Sequence, residues 1–203
     1  MGGLAESILQ KALDAVARRD AALAEEVTTD DLAIDRLDIE IDEAVLAILA
    51  LQAPVARDLR AVIGVKSLAT DLERVGDLAR NIAKSAVRLA ERPRVPPPAC
   101  FEQLADESRR QLRLALDAFA RSDAALARRV LAGDDLVDRQ EGEVVREALR
   151  ELQSRPEISP QEVEFILIAK SLERVADHAT NIAEEVVLIT ESKNLKHAEK
   201  LGA

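Results

Sequence analysis

The chain has no tryptophan, no tyrosine and three phenylalanines in 203 residues. It therefore lacks the aromatic platforms on which single-stranded nucleic acid stacks. A formal net charge of -10 leaves no clustered basic surface for a phosphate backbone, so nucleic acid is not an expected partner. Cys100 is the only cysteine, which excludes a disulfide framework and a cysteine-built metal site. Seven glycines and seven prolines leave few places to interrupt a helix. No apolar run is long enough to cross a bilayer. The opening MGGLAESILQKALD has neither a basic leader nor a continuous apolar stretch, so a reducing cytoplasm is the expected compartment. A Gly-rich phosphate loop, a nucleophile elbow and a Cys/His constellation are all missing, and no enzymatic activity is expected.

What is present is mostly Ala, Leu, Val and Ile set among Glu, Asp and Arg, and it is written twice. ALDAVARRDAALAEEV (Ala12 to Val27) returns 103 residues later as ALDAFARSDAALARRV (Ala115 to Val130), with 12 of 16 positions identical. LERVGDLARNIA (Leu72 to Ala83) returns 100 residues later as LERVADHATNIA (Leu172 to Ala183), with 9 of 12 identical. A three-residue deletion therefore falls between the two blocks of the second copy.

Punctuation divides each copy into three helices. The first is expected over Gly3 to Val27, with Thr28, Thr29 and Asp30 as N-cap candidates for a second over Asp31 to Gln52. Ala53-Pro54 stops that helix and starts a third, running to about Glu91. RPRVPPP (Arg92 to Pro98) cannot continue a helix and reads as a stiff connector. The second copy is then expected to hold helices over Ala99 to Leu131, Asp134 to Gln153 and Pro160 to Glu191. Apolar stripes of period 3.6, such as Ile34, Leu37, Ile41, Val45 and Ile48, give each helix one face to bury. The expected fold is all-α, with six long helices in two tandem three-helix bundles set end to end. These occupy residues 1–92 and 99–192, with a connector at 93–98 and a polar tail at 193–203.

Beside the apolar stripes run acidic ridges. Asp31, Asp35, Asp38 and Asp42 share one face of the second helix, and Glu73, Asp77 and Asn81 share one face of the third. Glu173, Asp177 and Asn181 repeat the latter spacing. An antiparallel turn near Ala53 puts Glu73 level with Ala33 and Asp77 level with Thr29, beside Asp31 and Asp35. A turn near Pro156 brings Glu173 and Asp177 level with Gln140 and Leu136, flanked by Asp134, Asp138 and Glu141. Like charges so placed need compensation. A solvated face, salt bridges to Arg36, Arg74, Arg139 and Arg174, and bound metal are the three readings; the matched register of both copies favours metal. The oxygen-rich ligand set suits magnesium, manganese, calcium or ferric iron, and carboxylates also accept zinc. Without a Glu-x-x-His pair there is no ferritin-like di-iron oxidase site. His178 follows a ridge aspartate, but an exposed helical histidine is expected there. His197 in the tail and Cys100 after the connector suggest no chemistry.

LERVGDLARNIAKSA (Leu72 to Ala86), SLERVADHATNIAEE (Ser171 to Glu185) and APVARDLRAV (Ala53 to Val62) closely resemble the PhoU family, over nearly the whole chain. The resemblance implies two three-helix bundles related by a pseudo-twofold axis. It implies multinuclear clusters of iron or other cations on Glu73 with Asp77 and on Glu173 with Asp177. Asp31, Asp35 and Asp38, and then Asp134, Asp138 and Glu141, would complete them. As function it implies a regulator that links the ATPase subunit of the phosphate ABC transporter to the phosphate-sensor histidine kinase. Such a regulator keeps the phosphate regulon repressed when phosphate is plentiful. A second copy of the chain is a further candidate partner, and metal storage or buffering is the alternative function. Two departures from the family pattern stand out. The chain starts inside what is usually a longer first helix, so a trimmed or a mis-started N-terminus is expected. Gly142 interrupts the second ridge, which also has no counterpart of Asp42.

Overall fold

The computed structural model of the chain describes residues 1–193 and 195; His197 and most of the polar tail lie outside the described residues. The described residues contain no strand. Their elements are α1 (Gly2–Arg18), α2 (Ala21–Gln52), α3 (Ala56–Ala90), α4 (Phe101–Arg121), α5 (Ala124–Leu131), α6 (Asp134–Ser154), a 3₁₀ turn (Pro156–Ile158) and α7 (Ser159–Glu191).

The first break in each copy falls earlier than expected. Helix α1 ends at Arg18, not near Val27, and Thr28, Thr29 and Asp30 lie inside α2. The stop carries no glycine or proline: Arg19 takes the left-handed conformation (φ 57°), and Asp20 N–H donates to Ala15 O at 3.0 Å. Asp20 then caps α2 by accepting from Leu23 N–H at 3.0 Å. The second copy repeats the device, with Ser122 left-handed (φ 51°) and Asp123 accepting from Leu126 N–H at 2.9 Å. A side-chain cap of this kind satisfies one of the N–H groups that a helix start leaves open, and the six-to-one bond does the same for a terminal carbonyl. The helix expected over Ala99 to Leu131 is accordingly two helices, α4 and α5.

Together α5 and α6 occupy the place of the continuous α2. The chain breaks between them at Ala132 and Gly133, and Gly133, at the position of Asp30 in the first copy, lies so close to Gln111 of α4 that a Cβ would collide with its amide. The three-residue deletion lies at the α6–α7 turn.

The bundles do not sit end to end. Helices α3 and α7 form the most extensive contact of the molecule, and α1 with α2 and α4 with α5 and α6 flank them. Both helices bury many alanines: Ala79, Ala83 and Ala86 on α3, and Ala169, Ala176, Ala179 and Ala183 on α7. One continuous core therefore runs from Ile8 and Leu9 through Leu72 and Ile82 to Leu172 and Ile182.

The connector belongs to this core. Val95 is buried, and Pro93 O accepts from Gln161 Nε2 at 3.2 Å. Two arginines cross at its base. Arg19, which follows α1, donates to Leu89 O near the end of α3 at 2.6 Å, and Arg94, which follows α3, donates to Ala17 O near the end of α1 at 3.1 Å. Each supplies a cation to a helix terminus with unpaired carbonyls.

Candidate metal centre

The hairpin register brings the acidic ridges together as the sequence implies. In the first copy, Asp31 is buried to 1% exposure on α2, against Gly76 of α3, where a Cβ would collide with its Oδ1. Its Oδ2 accepts from Arg80 Nη1 at 2.7 Å, while Oδ1 is buried without a hydrogen-bond partner. Arg80 also reaches Asp77, so one guanidinium ties the two ridges. Burial raises the pKa of Asp31, and the charges of Asp35 and Asp77 add to the rise against the opposing pull of Arg80 and Lys84. Glu73 is raised likewise, first by burial and then by Asp77, with smaller contributions from Asp35 and Asp38. Further along the hairpin, Lys66 of α3 pairs with Asp38 at 3.4 Å and with Asp42.

In the second copy, Glu141 is buried on α6 and paired with Lys170 of α7 at 2.9 Å. Burial raises Glu173, reinforced by Asp177, Glu141 and Asp138. Asp177 is raised by burial and by Asp138, against His178, Arg174 and Lys170. Asp134 stands in the first turn of α6, where the helix dipole favours a carboxylate. The asparagines lie outside the closest grouping. Asn81 is exposed, and Asn181 turns towards α3, donating to Asp71 Oδ1 at 3.4 Å.

Two site expectations need correction. His178 is not an exposed helical histidine: its Nδ1 lies 2.8 Å from Asp71 Oδ1, with both side chains largely buried between α7 and α3. The compensating cations are chiefly Arg80, Lys66 and Lys170. Of the four arginines expected, Arg74 joins in, at 3.4 Å from both Glu73 and Asp77, and Arg174 acts on Asp177 through its charge. Arg80 was legible as the residue one helical turn after Asp77. Lys66 and Lys170 follow from the hairpin register, which brings them opposite Asp42 and Glu141.

The donor set fits a hard cation in chemistry: clustered carboxylates with raised pKa values and one buried, unpartnered oxygen on Asp31. As the side chains stand, no three Asp, Glu, His or Cys residues among the described residues converge closely enough to hold an ion. Arg80 and Lys66 each bridge two carboxylates, and Lys170 pairs with Glu141.

The model of the PhoU domain family matches the chain twice, at residues 1–86 and 101–186. The chain belongs to the PhoU family. It is 36% identical over 198 residues to the phosphate-specific transport system accessory protein PhoU homolog of Pseudomonas putida, covering 97% of this chain and 77% of that protein. The PhoU homolog of Caulobacter vibrioides is 37% identical over 185 residues, covering 91% of this chain and 80% of that protein. The crystal structure of PhoU from Pseudomonas aeruginosa superposes with a TM-score of 0.92 at 36% identity, covering 95% of this chain and 93% of that one. The phosphate transport system regulatory protein PhoU from Streptococcus pneumoniae gives 0.88 at 30%, covering 96% and 91%. The PhoU fold, with the domain present twice, is therefore the architecture of this chain, and no helix among the described residues is long and apolar enough to cross a membrane.

Proposed function

We propose that this chain is a non-enzymatic regulator of phosphate uptake and of phosphate-regulon signalling. It couples the ATPase subunit of the phosphate ABC transporter to the sensor histidine kinase and holds the regulon repressed when phosphate is plentiful. The observation that carries this reading is the near full-length correspondence, in sequence and fold, with relatives named as accessory and regulatory proteins of phosphate transport. A surface feature supports action by contact. Leu32, Ile39 and Leu46 recur every seven residues along α2 and are 50%, 61% and 66% exposed. Their second-copy counterparts are Asp135, Gly142 and Leu149, so packing of the fold does not demand that apolar row, and a partner helix would cover it.

Metal ions form the second part of the proposal. Asp31, Asp35, Asp38, Glu73 and Asp77 would hold them in the first copy, and Asp134, Asp138, Glu141, Glu173 and Asp177 in the second. A bound cation would neutralise carboxylates on both helices of a hairpin and so fasten its two helices together. Iron, manganese, magnesium and zinc all accept such oxygen donors. Because Arg80, Lys66 and Lys170 already neutralise part of each ridge, regulation is favoured over metal storage.

Deleting the gene is expected to leave phosphate-starvation genes expressed in phosphate-rich medium, with excess phosphate uptake. Normal repression in the deletion strain would remove the regulator reading. In the purified protein, manganese or ferric iron is expected to raise the melting temperature by mass action. The double variant Glu73→Gln, Asp77→Asn should lose the share due to the first copy, and unchanged metal stoichiometry in it would reduce the ridge to a solvated face.

A further inference from the structure

A cavity of about 300 Å³ opens where α1, the connector, α4 and the start of α7 meet, lined by Arg19, Arg94 and Arg109 and by the apolar surfaces of Val95, Phe101 and Phe165. Arg19 lies 5.9 Å from the ring centroid of Phe165, which packs edge-on against Phe101 at 5.2 Å. We propose that this cavity binds a small molecule bearing an oxyanion group, phosphate or carboxylate, on a body with an apolar face. The site stands apart from the carboxylate ridges and does not depend on them.

In a chain of net charge -10, two guanidiniums line this cavity without a carboxylate partner. Among the described residues neither Arg19 nor Arg94 has a carboxylate within ion-pair distance. Their partners are carbonyls: Leu89 O and Val95 O for Arg19, at 2.6 and 3.4 Å, and Ala17 O for Arg94, at 3.1 Å. Each guanidinium has five N–H donors, so helix capping leaves most of them unused. The third, Arg109, is engaged by Gln10 and Asp106, yet its Nε is buried without a partner. Burial and the charge of Arg94 together lower the pKa of Arg19, a repulsion that an anion between the two would relieve. The acids of the wall do not supply that anion. Asp14 is taken by Gln10 at 2.8 Å and Arg18 at 3.8 Å, Asp106 by Arg109, and Glu102 is exposed.

The repeat provides an internal control. The related hollow beside Val65 and Ser122 measures about 120 Å³, and no charged residue lines it among the described residues. Ser122 stands at the position of Arg19, and Val65 at that of Phe165. The Arg19–Phe165 pair is thus not repeated at the related position. The N–H groups of a guanidinium match the geometry of phosphate and carboxylate oxygens, and the apolar wall accommodates a body the size of a small metabolite.

Isothermal titration calorimetry with sodium phosphate, adenosine monophosphate and citrate, at ionic strength matched with sodium chloride, tests the proposal. At least one probe should bind saturably with Kd at or below about 1 mM. Phosphate or the nucleotide binding without citrate identifies a phosphate site, and citrate binding alone identifies a carboxylate site. Arg94 is exposed and lies outside the helices, so Arg94→Gln should fold normally and weaken binding about tenfold. Arg19→Gln should do the same, with circular dichroism confirming the fold, while Arg150→Gln on α6 should have no effect. No saturable heat with any probe, or binding unchanged in both Arg94→Gln and Arg19→Gln, would overturn it.

Discussion

The two copies share backbone devices and differ in how they handle charge. Both stop their first helix with a left-handed residue and restart with an aspartate cap, at Arg19-Asp20 and at Ser122-Asp123. In the first copy a buried aspartate, Asp31, packs against Gly76 and is answered by Arg80. In the second copy the positions of Gly76 and Arg80 are taken by Ala176 and Thr180, and the Thr180 hydroxyl donates to Asp177 O at 2.7 Å. The second copy instead carries a buried acid where the first has an apolar residue: Glu162, 2% exposed, stands at the position of Val62. Helix stops and core faces persist through the duplication because backbone hydrogen bonding and burial constrain them in each copy alike. Compensation of charge is a local matter, and each copy has settled it differently.

The largest test of this contrast is at Arg80. Arg80→Ala leaves the Asp31 carboxylate buried and unpaired, and should cost about 3 kcal/mol at neutral pH in urea denaturation. Thr180→Ala, its counterpart, should lie within about 0.5 kcal/mol of the parent. Equal losses at the two positions would show that Arg80 acts by packing and not by charge.

Glu162 gives the next effect. Its carboxyl is pushed up from 4.5, first by burial and then by Glu151 and Glu147, against Arg155, and its Oε2 has no hydrogen-bond partner. The folded chain therefore takes up this proton at higher pH than the unfolded chain does. Glu162 favours the native state most at low pH, and that advantage is lost as pH rises from 4.5 through the raised value. Glu162→Val, which restores the first copy's residue, should stabilise the protein by about 1–2 kcal/mol at pH 7 and remove that part of the pH dependence. Thermal melts between pH 4 and 8 measure both changes. A variant less stable than the parent at pH 7 would mean that the glutamate has a favourable partner.

The smallest expected effect is where the copies agree. Asp20→Ala and Asp123→Ala each remove one cap and should each cost about 1 kcal/mol, additively in the double variant because the sites share no partner. Differential scanning calorimetry would expose any inequality, which would mean that the break before the short α5 matters differently from the break before α2.

Much of this was legible in the residues. The repeat, the proline stops and the 3.6 period yield six helical segments in two bundles, and the hairpin register places Glu73 with Asp35, and Glu173 with Asp138 and Glu141. The breaks at Arg19 and Ser122 were not, because a non-glycine residue in the left-handed region leaves no compositional mark; the doubled aspartate beside it was the available signal. The side-by-side packing was not legible either, since a helix that buries two faces, as α3 and α7 do, reads locally like one that buries a single broad face. At the site, carboxylate positions follow from spacing, whereas the choice of Arg80, Lys66 and Lys170 over Arg36 and Arg139 depends on side-chain reach across a hairpin. His178 shows the same limit. Its partner, Asp71, lies on the other copy, and no local pattern links the two.

The packing of α3 on α7 has a consequence for how the molecule can change. Equivalent helices of a repeat that meet face to face form an isologous contact, the kind found at the twofold axis of a homodimer. Here both halves belong to one polypeptide, so the contact forms intramolecularly and does not depend on protein concentration. A substitution in a true homodimer strikes both sides of the axis at once, whereas a tandem chain can alter one side alone. Asp71 and His178 pair across this contact at 2.8 Å, while the positions related to them by the repeat hold Ser171 and Leu78. Fusion has thus released this protein from its own symmetry, and one seam carries a histidine–aspartate hydrogen bond that a symmetric assembly would have had to carry twice.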